Sequence, residues 1–118
     1  MLDAVREFCL ALPFVTEKIQ WEEDLLFCVG GKMFAVAALN PNSRTRLSFK
    51  ATPEAFAELT ENAGIIPAPY LARAQWVALE TWDALPPAQA RRYLQTSYAL
   101  ILAKLPKKTR AALASNAA

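Results

Sequence analysis

The chain contains no histidine. Its absence removes the side chain that titrates nearest neutral pH, the usual activator of a serine or cysteine nucleophile, and a common zinc ligand. Two cysteines are present, Cys9 and Cys28, with no CxxC pair, so both read as buried thiols and no metal site is expected of them. Three glycines, two of them adjacent, leave no glycine-rich loop to cradle a phosphate. Serine, threonine and tyrosine hydroxyls occur, but none has a partner base at a recognisable spacing, so no catalytic activity and no cofactor are expected. The longest uncharged runs, Asn62 to Ala72 and Tyr93 to Ala103, fall well short of the roughly 20 apolar residues of a membrane-spanning helix. Asp3, Arg6 and Glu7 stand where a signal peptide would carry a basic start and an apolar run, so a cytoplasmic, membrane-free protein is expected.

Acid is also missing from the last third of the chain. After Asp83 there are six bases, Arg91, Arg92, Lys104, Lys107, Lys108 and Arg110, and no acid. Residues 41–50 likewise carry Arg44, Arg46 and Lys50 without an acid, whereas acids outnumber bases elsewhere. The net charge of +2 therefore hides a polarised molecule, and local positive patches act on anionic partners whatever the total.

At 118 residues the chain fits one domain, placed here at residues 1–110, with 111–118 read as a frayed tail. The stretch Leu25 to Lys50 predicts three antiparallel strands: Leu25 to Val29, Lys32 to Leu39, and Arg44 to Lys50. Gly30-Gly31 supplies the two-residue turn of a tight hairpin, and Asn40-Pro41-Asn42-Ser43 the next turn. In the third strand Arg44, Arg46, Ser48 and Lys50 alternate with Thr45, Leu47 and Phe49, which predicts one basic, wet face. Before this stretch, Leu2, Val5, Phe8, Cys9 and Leu12 have helical spacing up to Pro13, and Val15 to Trp21 has a strand's period. After it, Thr52-Pro53-Glu54 opens a short helix ending near Gly64; Ile65 to Leu71 lies extended around its two prolines; and Gln75 to Trp82 alternates as a last strand. Pro86-Pro87 opens the longest helix, with Ala90, Leu94, Ser97, Tyr98, Ile101 and Leu105 on one face, and Pro106 ends it. The expected fold is α+β, an antiparallel sheet with helices packed mainly on one face and the other face free for a partner.

Several segments resemble, in order, the MmcQ/YjbR family of small bacterial proteins: Leu12-Pro13, Gly30-Gly31-Lys32-Met33-Phe34, Phe49-Lys50, Pro67-Ala68-Pro69-Tyr70-Leu71 with Trp76, Ser97-Tyr98, and Lys104-Leu105-Pro106-Lys107-Lys108. The resemblance implies a CyaY-like α+β fold and a DNA-binding role described as a double wing. The chain departs from the family at Trp21-Glu22-Glu23-Asp24, where members often have a Gly-His pair.

Alternate residues of a strand stand about 7 Å apart, close to the spacing of phosphates, so Arg44, Arg46 and Lys50, with Lys32 near the hairpin tip, are candidate DNA contacts. Lys104, Lys107, Lys108 and Arg110 form a second basic cluster that also suits the end of a helix. Arg73 is a third candidate for an anion, and Tyr70 and Trp76 could stack on bases or simply pack. The alternative is a protein-interaction module using the free sheet face or the segment Pro67 to Trp76. The feature that separates the two is whether acids at Glu22, Glu23 or Asp24 screen the basic stripe. An acidic metal ridge of Asp3, Glu7, Glu17, Glu22, Glu23 and Asp24 has no known ligand spacing, and no metal is expected.

Overall fold

The computed structural model describes residues 1–21 and 23–115. Leu12 leaves the helical region and Pro13 follows it, so the first helix, α1, runs Leu2–Ala11. Four strands follow: β1 Val15–Gln20, β2 Asp24–Val29, β3 Lys32–Ala38 and β4 Leu47–Lys50. Thr52 caps the next helix, α2 Pro53–Thr60, its hydroxyl accepting from the Ala55 amide at 3.2 Å. The extended segment expected around the prolines is in part a strand, β5 Ile65–Pro67. It leads through a short 3-10 turn at Ala72–Ala74 into β6 Trp76–Leu79, shorter than the period-two pattern suggested because Trp82–Ala84 turns as another 3-10 segment. The long helix α3 spans Pro87–Lys104, and Pro106 breaks it. Beyond the break the expected tail is instead a helix, α4 Lys107–Ser115, whose Leu113 packs on the core; residues 116–118 lie outside the described ones.

The six strands form one wholly antiparallel sheet in the order β1-β2-β3-β4-β6-β5. Phe27, Val29, Phe34, Leu47, Phe49, Ile65, Val77 and Leu79 point to the face that α1, α2 and α3 cover, where they meet Val5, Cys9, Leu59 and Leu94. The opposite face has a smaller apolar cluster of Ala68, Trp76 and Ala78 edged by Met33, Val36, Ile66 and Leu71. Among the described residues no helix is long and apolar enough to cross a membrane.

The register carries one irregularity that fixes α3. Between Phe27 and Cys28 the β2–β3 pairing jumps from Ala35 to Met33, so Phe34 is an extra residue in a bulge. The Ala38 amide donates to the Arg46 carbonyl at 2.9 Å, so pairs 36/48 and 34/50 follow in alternation as hydrogen-bonding pairs of β3 and β4. At the last of these the hydroxyl of Ser97 stands between the strands, donating to the Phe34 carbonyl at 2.6 Å and accepting from the Lys50 amide at 3.0 Å. The next residue, Tyr98, donates to the Pro13 carbonyl at 2.7 Å and meets the Phe34 ring edge-on at 5.5 Å.

Gly30 and Gly31 have φ of +59° and +81°, the pair of left-handed residues that a type I′ turn requires. A Cβ on Gly30 would fall 2.5 Å from a Leu105 methyl carbon and 3.3 Å from Thr109, whereas one on Gly31 would meet nothing within 4 Å. Gly30→Ala is therefore expected to cost about 2–3 kcal/mol, backbone strain plus overpacking, against about 1 kcal/mol for Gly31→Ala. Urea titration of both variants checks the difference, and equal losses would contradict the packing of this turn on the chain after α3.

Both cysteines are free and buried. Burial pushes the Cys9 thiol up to about 12 and raises that of Cys28 as well. Since the thiolate is the reactive form, the native chain is expected to resist an aromatic disulfide reagent at neutral pH and to release two thiols on denaturation. Rapid stoichiometric labelling of the native chain would contradict it.

Candidate nucleic-acid interface

Antiparallel pairing sorts the chain into two ends of one sheet. Val15 pairs with Val29, Val29 with Lys32, Lys50 with Trp76, and Pro67 with Val77, which gathers the Gly30-Gly31 turn, the end of β4 and the start of β6 at one end. Gln20 pairs with Asp24, Asp24 with Ala38, and Leu47 with both Ala37 and Leu79, which places the loops containing Glu23, Asn40 to Arg46 and Glu80 at the other.

The expected basic stripe does not survive this geometry. β4 begins at Leu47, so Arg44 stands exposed in the loop before it. Arg46 turns its guanidinium back on the loop and donates to the carbonyls of Asn40 at 2.9 Å and Ser43 at 2.7 Å, so it braces the turn. Ser48 faces the open side of the sheet, and Thr45 turns to that side too, breaking the alternation. Lys50, 9% exposed, sends its ammonium to the Ala74 carbonyl at 2.6 Å. The face expected to be basic and wet is apolar at its centre. Among the described residues neither Glu23 nor Asp24 forms a salt bridge with the stripe, and Glu23 is engaged by Asn40, whose side-chain amide donates to it at 3.1 Å; Glu22 lies outside the described residues.

The same geometry assembles most of the remaining bases at the hairpin end. Burial lowers the Lys50 pKa, and the nearby ammonium of Lys104 lowers it further, so the two amines share one neighbourhood. Arg73, exposed, adjoins Ala74, the residue that Lys50 holds. Contact of Gly30 with Leu105 and Thr109 seats the hairpin, and with it Lys32, on the junction of α3 and α4. Lys104, Lys107, Lys108 and Arg110 are all exposed there. Among the described residues the salt bridge formed is Arg6 to Glu17, so none of these bases is neutralised by a carboxylate within 4 Å. The structure thus unites Lys32, Lys50, Arg73, Lys104, Lys107 and Lys108, and separates Arg44 and Arg46 from them.

Of the two aromatic candidates, Tyr70 is fully exposed and Trp76 is 4% exposed within the smaller apolar cluster, so Trp76 has no face free for a base. Sequence reasoning passed over Lys18. It is exposed, lines a shallow groove with Gly31 and Lys32, and its signal was the alternation Thr16, Lys18, Gln20 in β1. Among the described residues no group of three or more cysteine, aspartate or glutamate side chains is placed to hold a metal ion.

A family model described as YjbR matches residues 10–100. The chain belongs to the YjbR family. The match ends before Lys104-Leu105-Pro106-Lys107-Lys108. No curated protein matches. Among solved structures, Deinococcus radiodurans protein DR2400, of the domain family DUF419, is similar at a TM-score of 0.84 and 28% identity, covering 97% of this chain and 88% of that one. The α+β fold of the YjbR chain, a six-stranded antiparallel sheet with helices packed mainly on one face, is therefore a fold it shares with that protein.

Proposed function

We propose that this YjbR chain is a non-catalytic DNA-binding protein that meets phosphates with the hairpin end of its sheet rather than with the sheet face. The observation that supports it is the convergence of Lys32, Arg73, Lys104, Lys107, Lys108 and Arg110, from three separate parts of the chain, on one end of the sheet. Clustered ammonium and guanidinium groups displace the counterions condensed on DNA, and that release supplies sequence-independent affinity. Lys50 is too buried to reach a phosphate; it holds Ala74, and so positions Arg73. Tyr70, three residues before Arg73, offers its free ring to an unpaired base.

The test is fluorescence anisotropy of a labelled duplex and a labelled single strand at about 50 and about 200 mM salt. Binding in the micromolar range at low salt, weakening by tenfold or more at the higher, is expected. Failure of both strands to bind at low salt would overturn the reading and direct attention to a protein partner on the open face or on the Pro67 to Trp76 segment.

A further inference from the structure

The open face holds a feature that phosphate contact does not use. A cleft of about 610 Å³ lies on it, within the range of small-molecule sites, about 300–1,000 Å³. Asp24, Val36, Ala38 and Ser48 contribute to its lining from the sheet, Pro69 to Leu71 from the segment before β6, and Trp21 from the β1–β2 turn. Trp21 is 64% exposed and Tyr70 entirely so, which leaves two aromatic faces at one opening without an apolar cover. Both also have left-handed backbone, at φ of +56° and +66°, a conformation that side chains with a Cβ rarely adopt. Strain of this kind persists where the surrounding structure imposes it, and it concentrates at ligand sites.

The charge of the lining indicates what fits. Among the described residues of the lining Asp24 is the one acid, and there is no base. Of the two arginines in the loop that lends Ser43 and Thr45 to the lining, Arg46 has turned its guanidinium to the Asn40 and Ser43 carbonyls and Arg44 is exposed. Aromatic faces carry the negative side of the ring quadrupole and attract cations most strongly where water is partly excluded. We propose that the cleft binds a small organic cation, an aryl- or alkylammonium whose apolar body lies over Val36 and Ala38 and whose head is held by Trp21, Tyr70 and Asp24. Tyr70 is shared with the DNA reading and Trp21 also borders the groove that Lys18 and Lys32 line, but Asp24 pairs with Gln20 and Ala38 at the other end of the sheet, so Asp24→Asn probes the cleft apart from phosphate contact.

The experiment is an NMR titration of the full isotope-labelled chain with benzyltrimethylammonium, and separately with benzyl alcohol and benzenesulfonate as neutral and anionic comparators. Saturable shifts confined to the cleft residues are expected, with the cation at least about fivefold tighter than either comparator. Trp21→Ala and Tyr70→Ala should each weaken it about fivefold or more, and Asp24→Asn about threefold, with spectra that otherwise show an intact fold. Lys104→Glu/Lys107→Glu/Lys108→Glu should leave it unchanged, so this site and DNA binding can fail separately. Absence of saturable shifts, equal affinity for the comparators, or indifference to both Trp21→Ala and Asp24→Asn would overturn the proposal.

Discussion

Ser97→Ala is expected to lower the stability of the chain by about 3 kcal/mol, a large share of the roughly 5–15 kcal/mol that holds a domain together. The hydroxyl is fully buried and takes the place of a ladder bond between β3 and β4. Removing it strands the Phe34 carbonyl and the Lys50 amide in a dry interior, at about 1–3 kcal/mol for each group left unpaired. The melting temperature should fall by about 10 °C. Thr96→Ala, one residue away, removes an exposed hydroxyl that donates to the Arg92 carbonyl and should change stability by less than about 0.5 kcal/mol. Thermal or urea unfolding of the pair decides it: similar small losses would mean that the strands close without Ser97.

Reversing the charge of the α3–α4 junction carries the largest expected effect on binding. In Lys104→Glu/Lys107→Glu/Lys108→Glu three exposed ammonium groups are lost. If each neutralises one phosphate, the slope of log affinity against log salt falls by about 2.7, which between about 50 and 200 mM corresponds to roughly 40-fold. Repulsion from the new carboxylates should bring the loss in duplex affinity at low salt to about 100-fold. Arg44→Glu, at the other end of the sheet, should cost less than about twofold. Among the described residues the side chains of the three lysines make no salt bridge, and all three are exposed, so the unfolding curve of the triple variant should stay close to that of the parent.

Much of the fold was legible because its signals are local. Gly30-Gly31 requires left-handed backbone whatever surrounds it, Thr52-Pro53 starts a helix by its own hydroxyl and ring, and Pro13 and Pro106 end helices by removing a donor. The family resemblance was legible in segments that meet in space: Pro13 with Tyr98, Lys50 with Ser97, and the Gly30 turn with Leu105. α4 was read as a tail because Ala111 to Ala118 offers few large apolar side chains, although Pro106 accepts the first bond of that helix from Arg110. The basic face was misread for a different reason. Period two puts Arg46, Ser48 and Lys50 on one side of a strand, but the strand's start and the reach of each side chain depend on partners distant in sequence: the Asn40 and Ser43 carbonyls for Arg46, and Ala74 for Lys50. The cleft had no sequence signal, since Trp21 and Tyr70 become neighbours of one opening only when β1 and the Pro69 segment are set across the same sheet.

The central claim is that DNA meets one end of this sheet, and mapping backbone amide shifts as a short duplex is added to the labelled chain tests it most directly. The account predicts shifts at Gly30 to Lys32, Arg73 to Gln75 and Lys104 to Arg110, with Asn40 to Arg46 unmoved. Shifts centred on Asn40 to Arg46, or none where anisotropy reports binding, would contradict it.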